Sequence, residues 1–451
     1  MVSCGILRLL GSPLPLSSRQ FGMSVSNQSL VGFFREAAPY IHMHQGKVFV
    51  VAISGEALER NNAPEILGDI ALLSTLGARI ILVHGARPQI DKQLSKENHP
   101  SDIYNGLRIT DDKTLAIAKK AIGQLRIDIE NYLNQAFNKP PIINNGPGVL
   151  SGNLLSTRPV GILDGVDHLL TGRVRKINTM LLEQLLVQSN IILMSPIGHS
   201  PIGQTHNLRY EEVAACTATT IKADKLIIIQ DMGDSLQLPR QLNLNALKQL
   251  NKHHAIPLLD DIDIAVSSGV NRAHIIQPSL PGGVILELYT RDGVSCMIDN
   301  GDYDTPRPAN EQDIQGIIEL ITPWQLQGIL AKRSREQIEA EINYFSVIER
   351  DGRIIGCAAL YPHKNHSSAE LACLVIDPKY RSGSRGSNLA EHMIDKARRA
   401  GLEKVFLLTT QSIDWFKERG FEEMDLGELP TSKQLTYNTD RNSRALSLTI
   451  R

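Results

Sequence analysis

The stretch from Glu370 to Gly401 restricts the fold of this chain more than any other. Glu370-Leu-Ala-Cys-Leu-Val-Ile376 is a short apolar run that reads as a buried strand. Asp377-Pro378 ends it, because proline cannot donate to a ladder. A loop dense in arginine, serine and glycine follows, from Arg381 to Gly386. Leu389, Met393, Ala397 and Ala400 then recur at helical spacing, with Gly401 in the place of a C-terminal cap. A strand, a small-residue loop and a helix N-terminus make an anion site, since the first-turn N–H groups converge and the helix dipole adds positive character. Arg381 and Arg385 add full charges, and a pyrophosphate offers those donors more acceptor oxygens than a carboxylate does. The alternative is an ordinary turn with two solvated arginines.

With 451 residues the chain has room for two or three domains. A formal net charge of -1 gives no basis for nucleic-acid or membrane-surface binding, and no apolar run is long enough to span a bilayer. Cys4, Cys216, Cys296, Cys357 and Cys373 show no paired spacing. That argues against disulfides and a metal site, and for a reducing compartment, the cytoplasm. No Asp or Glu precedes Glu36, and Met1 to Met23 carries Arg8, Arg19 and several serines, as organelle transit peptides do. The preferred reading starts the chain proper at Met23, with residues 1–28 an upstream extension or disordered tail.

Leu30, Phe33, Phe34, Ala37 and Ile41 fall on one helical face, and Pro39 is expected to kink or end that helix. Its apolar face can pack on its own domain or on another subunit. Strands at Lys47–Ile53 and Arg79–Val83 each end in a glycine turn, Ser54-Gly55-Glu56 and His84-Gly85-Ala86. With a helix after each, they predict an α/β unit with a parallel sheet and ligands at the carboxyl ends of its strands. Strands are also predicted at 191–195, 225–230, 274–277 and 284–289, a helix at 211–221, and a loop-rich insertion at 232–260. Gly301 to Pro308, with two prolines, reads as a linker. The domains expected are therefore 29–300, the 301–308 linker, and 309–451.

Arg381-x-x-Ser384-x-Gly386 between strand and helix resembles the pyrophosphate loop of the GNAT acetyltransferases, which bind acetyl-coenzyme A. Ser384 stands where that family has glycine. Trp415-Phe-Lys-Glu-Arg-Gly-Phe421 resembles a later segment of the same fold. Ser54-Gly55-Glu56, His84 to Ile90 and Asn207 to Glu211 resemble the amino-acid kinase fold, close to acetylglutamate kinase. The family's first-strand lysine is Ala52 here, and its second glycine loop carries Ala86 and Arg87. Without cations at a moving phosphate this domain is expected to bind ligand and not to transfer phosphate. The two halves together resemble the bacterial N-acetylglutamate synthases. The resemblance implies a kinase-like parallel-sheet sandwich followed by a GNAT α+β domain. It also implies acetyl transfer from acetyl-coenzyme A to L-glutamate in arginine biosynthesis, inhibition by L-arginine, and a hexameric ring.

The same resemblance implies site residues. Glu370 is the expected base for the substrate ammonium, and the Leu374 N–H the donor to the oxyanion. Thr409 or Ser412 is expected to protonate the thiolate, which can also leave unprotonated. Leu374, Val375, Arg381, Ser382, Gly383, Ser384, Arg385 and Gly386 are implied in coenzyme binding. Leu330, Lys332, Lys433, Arg441 and Ser443, with the Cys373 backbone, are implied for the two carboxylates of glutamate, whose burial demands cations and donors. No histidine has a claim to activate Cys373, so direct transfer is preferred to an acyl-cysteine. His274, Glu287 and Gly293 keep the spacing of an arginine site, with Ser295-Cys296 replacing the family's Gly-Thr. The competing readings are a GNAT enzyme for another amine, and an arginine sensor with an inactive acetyltransferase half.

Overall fold

The computed structural model describes residues 27–137, 148–188, 191–233, 236, 238–291, 293–300, 305–350, 352–363, 366–381 and 385–450. Residues 1–26 of the expected tail, with the preferred start at Met23, lie outside the described residues, as do 301–304 of the expected linker; Asn27 and Gln28, placed in the tail, open the first helix. The chain divides into two compact units, one running as far as Met297 and one from Ile298 to Arg451, with Asn243–Leu247 grouped with the second.

The first unit opens with α1 (Asn27–His44), β1 (Val48–Ile53), α2 (Ala63–Thr75), β2 (Arg79–His84), α3 (Arg87–Lys96) and α4 (Asp112–Phe137). It continues with β3 (Val149–Ser151), β4 (Ile191–Met194), α5 (Tyr210–Thr220), β5 (Lys225–Ile229) and β6 (Gln241–Asn243). Then come α6 (Leu244–His254), α7 (Pro257–Ser267), β7 (Arg272–Ile276), α8 (Gly283–Tyr289) and β8 (Cys296–Asp299). Its sheet has the order β6-β8-β7-β5-β1-β2-β4-β3, and the pairs from β7 to β3 are all parallel. Strands covered on both faces need apolar side chains on both, which is why β1 and β5 read as unbroken apolar runs. A smaller sheet holds Leu155–Pro159, Gly172–Ile177, Ile197–His199 and Thr205–Asn207.

Three expectations are corrected here. Residues 284–289 form not a strand but α8. Gly282 adopts φ +65° ahead of it and its carbonyl accepts from Leu286 N, starting the helical ladder. Within 232–260, expected to be loop, β6 and α6 form and α7 begins; Pro257 occupies the first turn of α7, where its missing N–H costs nothing. Finally, α1 runs on through Pro39 to His44. Ala37 is buried and Tyr40 and Ile41 pack on the core of the unit, whereas Leu30 and Phe34 are 52% and 60% exposed.

The second unit comprises β9 (Arg307–Pro308), α9 (Ile314–Leu326), α10 (Arg335–Glu341), β10 (Phe345–Arg350), β11 (Arg353–His363) and β12 (Ser368–Ile376). After them come α11 (Arg385–Arg399), β13 (Lys404–Thr409), α12 (Ile413–Lys417), β14 (Glu422–Glu423), α13 (Thr431–Thr436) and β15 (Arg444–Thr449). Its sheet order is β9-β10-β11-β12-β13-β15-β14. The amphipathic α11 buries Leu389, Met393 and Ala397 against this sheet, and Gly401, at φ +72°, terminates it as expected. The neighbours of β12 set up the site. Its antiparallel pairing with β11 shifts register between Cys357 and Ala359, and Cys373 takes φ +55°, so β12 bulges there. With β13 it pairs in parallel only over Ser368–Glu370 against Lys404–Phe406, and beyond that the two strands part.

Candidate active site

Where β12 and β13 part, a cavity of about 480 Å³ opens. The backbone that follows the bulge, Leu374 to Ile376, forms one wall, and Gln411 and Ser412 beyond β13 form another. The first turn of α11 contributes Gly386 and Ser387, so helix N–H groups border a wall that also carries the cations Arg381 and Arg419. Trp324 and Trp415, the only tryptophans in the sequence, both line it. Arg381 lies 4.6 Å from the Trp324 ring centroid, and Arg419 lies 3.7 Å from that of Trp415 while donating to Ser387 Oγ at 2.8 Å. Basic side chains, a helix N-terminus and apolar rings suit an anionic ligand with a long apolar-polar body.

Of the residues implied for the coenzyme, Leu374, Val375, Arg381 and Gly386 come together in this cavity. Arg385 does not line it; its guanidinium lies 5.9 Å from the Tyr380 ring and donates to the Tyr380 carbonyl at 3.4 Å. Ser382, Gly383 and Ser384 lie outside the described residues. The Thr409 hydroxyl accepts from Ser412 N at 3.1 Å, which leaves its proton available to another acceptor. Sequence reasoning did not single out Trp324, Ser387 or Arg419 as lining residues, although Trp415 to Arg419 stood in a quoted motif.

Next to the bulge, Glu370 is 8% exposed and its Oε1 accepts from Lys433 Nζ at 2.7 Å. A buried carboxylate needs such a partner, and the pairing brings together two residues that lie 63 positions apart in sequence. Arg441 Nη2 donates to the Ile329 carbonyl at 2.7 Å, holding the loop before Leu330, and its Nε is buried with no partner among the described residues. Leu330 N already donates to the Trp324 carbonyl at 3.2 Å. Ser443 is buried, and its carbonyl accepts from the Tyr437 hydroxyl at 2.8 Å. Cys373 is also buried, with Cys357 Sγ 3.6 Å from its carbonyl oxygen. Lys332 is exposed and makes no ion pair among the described residues, whereas its neighbour Arg333 turns inward.

The first unit holds two further constellations. At the carboxyl ends of β1 and β2, the expected turns meet in a cavity of about 280 Å³ lined by Gly55, Glu56, Gly85, Arg87, Asn207 and Glu211. Burial raises the Glu211 carboxyl above its ordinary value against the nearby Arg209 charge. Ala52 is fully buried in β1.

The second constellation joins His274, Glu287 and Gly293. His274 Nδ1 lies 2.6 Å from Glu287 Oε1, while Glu287 Oε2 accepts from Val294 N at 2.7 Å and Ser295 N at 2.8 Å. Lys225 Nζ stands 3.5 Å from His274 Nε2. Burial, with Lys225 adding to it, draws the His274 imidazole down to about 4 against the pull of Glu287. For Glu287, burial works upward, but the bonds from His274 and the two backbone N–H groups hold it at about 2. A neutral imidazole that donates from Nδ1 and accepts from Lys225 at Nε2 satisfies both neighbours. Gly293 has φ +57°, and a Cβ there would stand 2.5 Å from Glu287 Oε2. Any side chain at this position would collide with the carboxylate.

A strand bulge beside parted strands, with a basic helix-capped cavity between them, defines the second unit as an acetyltransferase domain of the GNAT type, carried behind an amino-acid-kinase-like unit. Comparison with known proteins agrees: residues 47–277 match the amino acid kinase family and residues 314–421 the acetyltransferase (GNAT) family. The amino-acid acetyltransferase of Pseudomonas fluorescens Pf0-1 is 41% identical over 422 residues, covering 92% of this chain and 98% of that protein. That of Vibrio vulnificus CMCP6 is 38% identical over 445 residues, covering 95% and 100%. The crystal structure of N-acetylglutamate synthase from Neisseria gonorrhoeae complexed with coenzyme A and L-arginine superposes with a TM-score of 0.84 at 34% identity, covering 93% of this chain and 99% of that one. A second structure of that synthase, with coenzyme A and N-acetyl-glutamate, gives a TM-score of 0.60 at 35% identity over the same shares. This chain belongs to the amino-acid acetyltransferase family.

Proposed function

We propose that this chain transfers the acetyl group of acetyl-coenzyme A to the amine of L-glutamate, giving N-acetylglutamate and coenzyme A, and that L-arginine inhibits it through the first unit. The observation that carries the reading is the buried carboxylate of Glu370, held by Lys433, on the same strand whose Leu374 to Ile376 wall the cavity of about 480 Å³. The ligands named for the Neisseria synthase structures, coenzyme A, N-acetyl-glutamate and L-arginine, support it.

In this reading Glu370 accepts the substrate ammonium proton, directly or through a water. The C–N bond forms as the C–S bond breaks. Leu374 N–H donates to the carbonyl oxygen as negative charge develops on it, and Thr409 or Ser412 supplies a proton to the departing sulfur. Arg381, Gly386 and the first turn of α11 hold the pyrophosphate, and Ser382 to Arg385 complete that loop. Lys332, Lys433, Arg441, Ser443, the backbone around Leu330 and the Cys373 backbone surround the amino acid. His274, Glu287 and Gly293 bind arginine, whose guanidinium or ammonium group takes a place on the Glu287 carboxylate. Ala52 leaves the kinase-like unit without a phosphoryl-transfer lysine, so it serves as the regulatory domain (29–300) ahead of the catalytic one (309–451). Leu30 and Phe34, exposed on α1, supply an apolar face for subunit contact in a hexamer. The protein works in the cytoplasm.

Purified protein mixed with acetyl-coenzyme A and a panel of amino acids tests this reading by release of free thiol. Release with glutamate alone, suppressed by arginine, is the expected result. Release without an arginine effect removes the regulatory half of the proposal, and no release with any amino acid overturns the synthase reading.

A further inference from the structure

Cys357 and Cys373 lie 16 residues apart, on the paired strands β11 and β12. In their register Cys357 stands opposite Val375 and Ala359 opposite Ala372, so Ala358 faces two residues, Cys373 and Leu374. The extra residue is the bulge, and it moves Cys373 one step nearer Cys357 than a regular ladder would. Cys357, Cys373 and Val375 share one apolar cluster, whereas Leu371 and Leu374 pack on the other face of the sheet. Both sulfurs therefore project to the same side. Cys357 Sγ stands 3.6 Å from the Cys373 carbonyl oxygen and within hydrogen-bond reach of the Cys373 thiol. The positive φ of Cys373, +55°, is held by this packing.

The two thiols are not equivalent. The Cys357 thiol, donating to Cys373, draws the Cys373 thiol below its ordinary value; burial opposes this and the Arg333 charge assists it. The same contact, with burial, pushes the Cys357 thiol well up. A sulfur inclined to the thiolate, next to a cation and a second thiol, is the setting in which an oxidised cysteine meets a resolving partner. Val375, in the same cluster as Cys373, also lines the cavity between the parted strands. A molecule as small as hydrogen peroxide thus comes within two residues of the thiol.

We propose that Cys373 and Cys357 are a peroxide-responsive pair: oxidation joins them in a disulfide that distorts the bulge and stops acetyl transfer, and a dithiol restores it. The Cys373 thiolate attacks hydrogen peroxide, its sulfur takes one oxygen as sulfenic acid, and hydroxide leaves. The Cys357 sulfur then displaces hydroxide from the Cys373 sulfur, giving up its own proton as the S–S bond forms. Two thiols lose two electrons and two protons, and one peroxide becomes two waters. The bond holds the sulfurs about 2.05 Å apart, well inside their non-bonded contact. The Cys373–Leu374 peptide carries both the carbonyl beside Cys357 and the N–H proposed as the oxyanion donor. Drawing Cys373 toward β11 turns that peptide and takes the donor from its place. This effect on rate rests on the acetyl-transfer reading above, whereas formation of the bond does not.

The test treats the full chain with hydrogen peroxide, removes the excess with catalase, and takes two readouts. One is thiol release from acetyl-coenzyme A with glutamate. The other is a tryptic map of the unreduced protein. Cleavage after Arg353, Lys364 and Lys379 puts the two cysteines on separate peptides, 354–364 and 365–379, so their disulfide shows as one cross-linked mass. We expect the cross-link to appear as the rate falls at least tenfold, as it does when an oxyanion donor is lost, and dithiothreitol to reverse both. Cys357→Ser, which keeps a donor toward the Cys373 carbonyl, forms no cross-link, and dimedone then labels Cys373 after peroxide. Cys216→Ser, at a half-buried cysteine of the first unit, behaves as the parent chain. Recovery of Cys357 and Cys373 as free thiols after peroxide overturns the inference, and so does a cross-link that leaves the rate unchanged. Should the untreated chain release no thiol with glutamate, the functional reading fails, and the tryptic map of the parent chain still decides the bond.

Discussion

Lys433 Nζ lies 2.7 Å from Glu370 Oε1, so the proposed base holds an ammonium group that belongs to the protein. In the proposed reaction the substrate brings an ammonium group to the same carboxylate, and Lys433 exchanges Glu370 for the carboxylate next to the incoming amine.

Removing the base tests this first. Glu370→Gln keeps the shape and a hydrogen-bond acceptor but cannot take a proton. We expect kcat for thiol release to fall by about a hundredfold to ten-thousandfold, the usual contribution of a positioned base. KM for acetyl-coenzyme A, measured in the same assays, stays within about twofold.

Removing the ammonium group should act on binding instead. Lys433→Met leaves the substrate carboxylate without one charged partner, and such hydrogen bonds contribute about 1.5–3 kcal/mol. KM for glutamate is therefore expected to rise by about tenfold or more. A change confined to kcat would place Lys433 elsewhere in the cycle.

Arg381 offers an optical readout. Its guanidinium lies 4.6 Å from the Trp324 ring centroid. If it transfers to the pyrophosphate, coenzyme A alone changes indole emission. Arg381→Gln abolishes most of that change and raises KM for acetyl-coenzyme A about tenfold, within the range for a charged hydrogen bond.

The proposed arginine site allows a steric test. Gly293→Ala puts a methyl 2.5 Å from Glu287 Oε2 on a backbone at φ +57°. The carboxylate has to shift, so half-inhibition by arginine should require at least tenfold more ligand. The arginine-free rate of the same preparation is the reference.

Acid should weaken the first unit through its histidines. Burial lowers both His274 and His84 from 6.5 to about 4. The folded chain therefore binds fewer protons than the unfolded one between these values. Their contribution is complete above pH 6.5 and drains away as pH falls toward 4. Glu287, lowered from 4.5 to about 2, extends the loss below pH 4.5. Burial also raises Asp69 and Asp261 from 3.8 to about 6, which adds stability as pH falls through 6 and offsets part of the loss. The urea midpoint is expected to drop between pH 7 and pH 5, and His274→Asn, which keeps a donor toward Glu287, makes that drop smaller.

Much of this architecture can be read in the sequence, and the exceptions have physical causes. Unbroken apolar runs such as Val48–Ile53 identified the parallel strands, because a strand buried on both faces has no polar side. The same reasoning misread Val284–Tyr289, where a run too short to show a helical period forms a helix after Gly282. The error also hid how deeply Glu287 is buried. The segment from Leu244 to His254 looked like loop because only Leu244 and Leu247 of its side chains are buried. Arg381, carried by a motif, could be named from the sequence, and it lines the cavity. Trp324 and Arg419 could not be singled out as lining residues, because their places depend on which ring or strand the fold sets beside them.

Only three residue pairs join β12 to β13, and past them the second unit's sheet is an open seam. Each side of that seam is an edge with backbone donors and acceptors facing a gap. In the proposed reading a ligand lying there bonds to both edges and takes the place of a strand segment that the polypeptide does not supply. Occupancy and resistance to unfolding are then expected to rise together, with amides along the two lips of the seam exchanging more slowly when coenzyme A is bound.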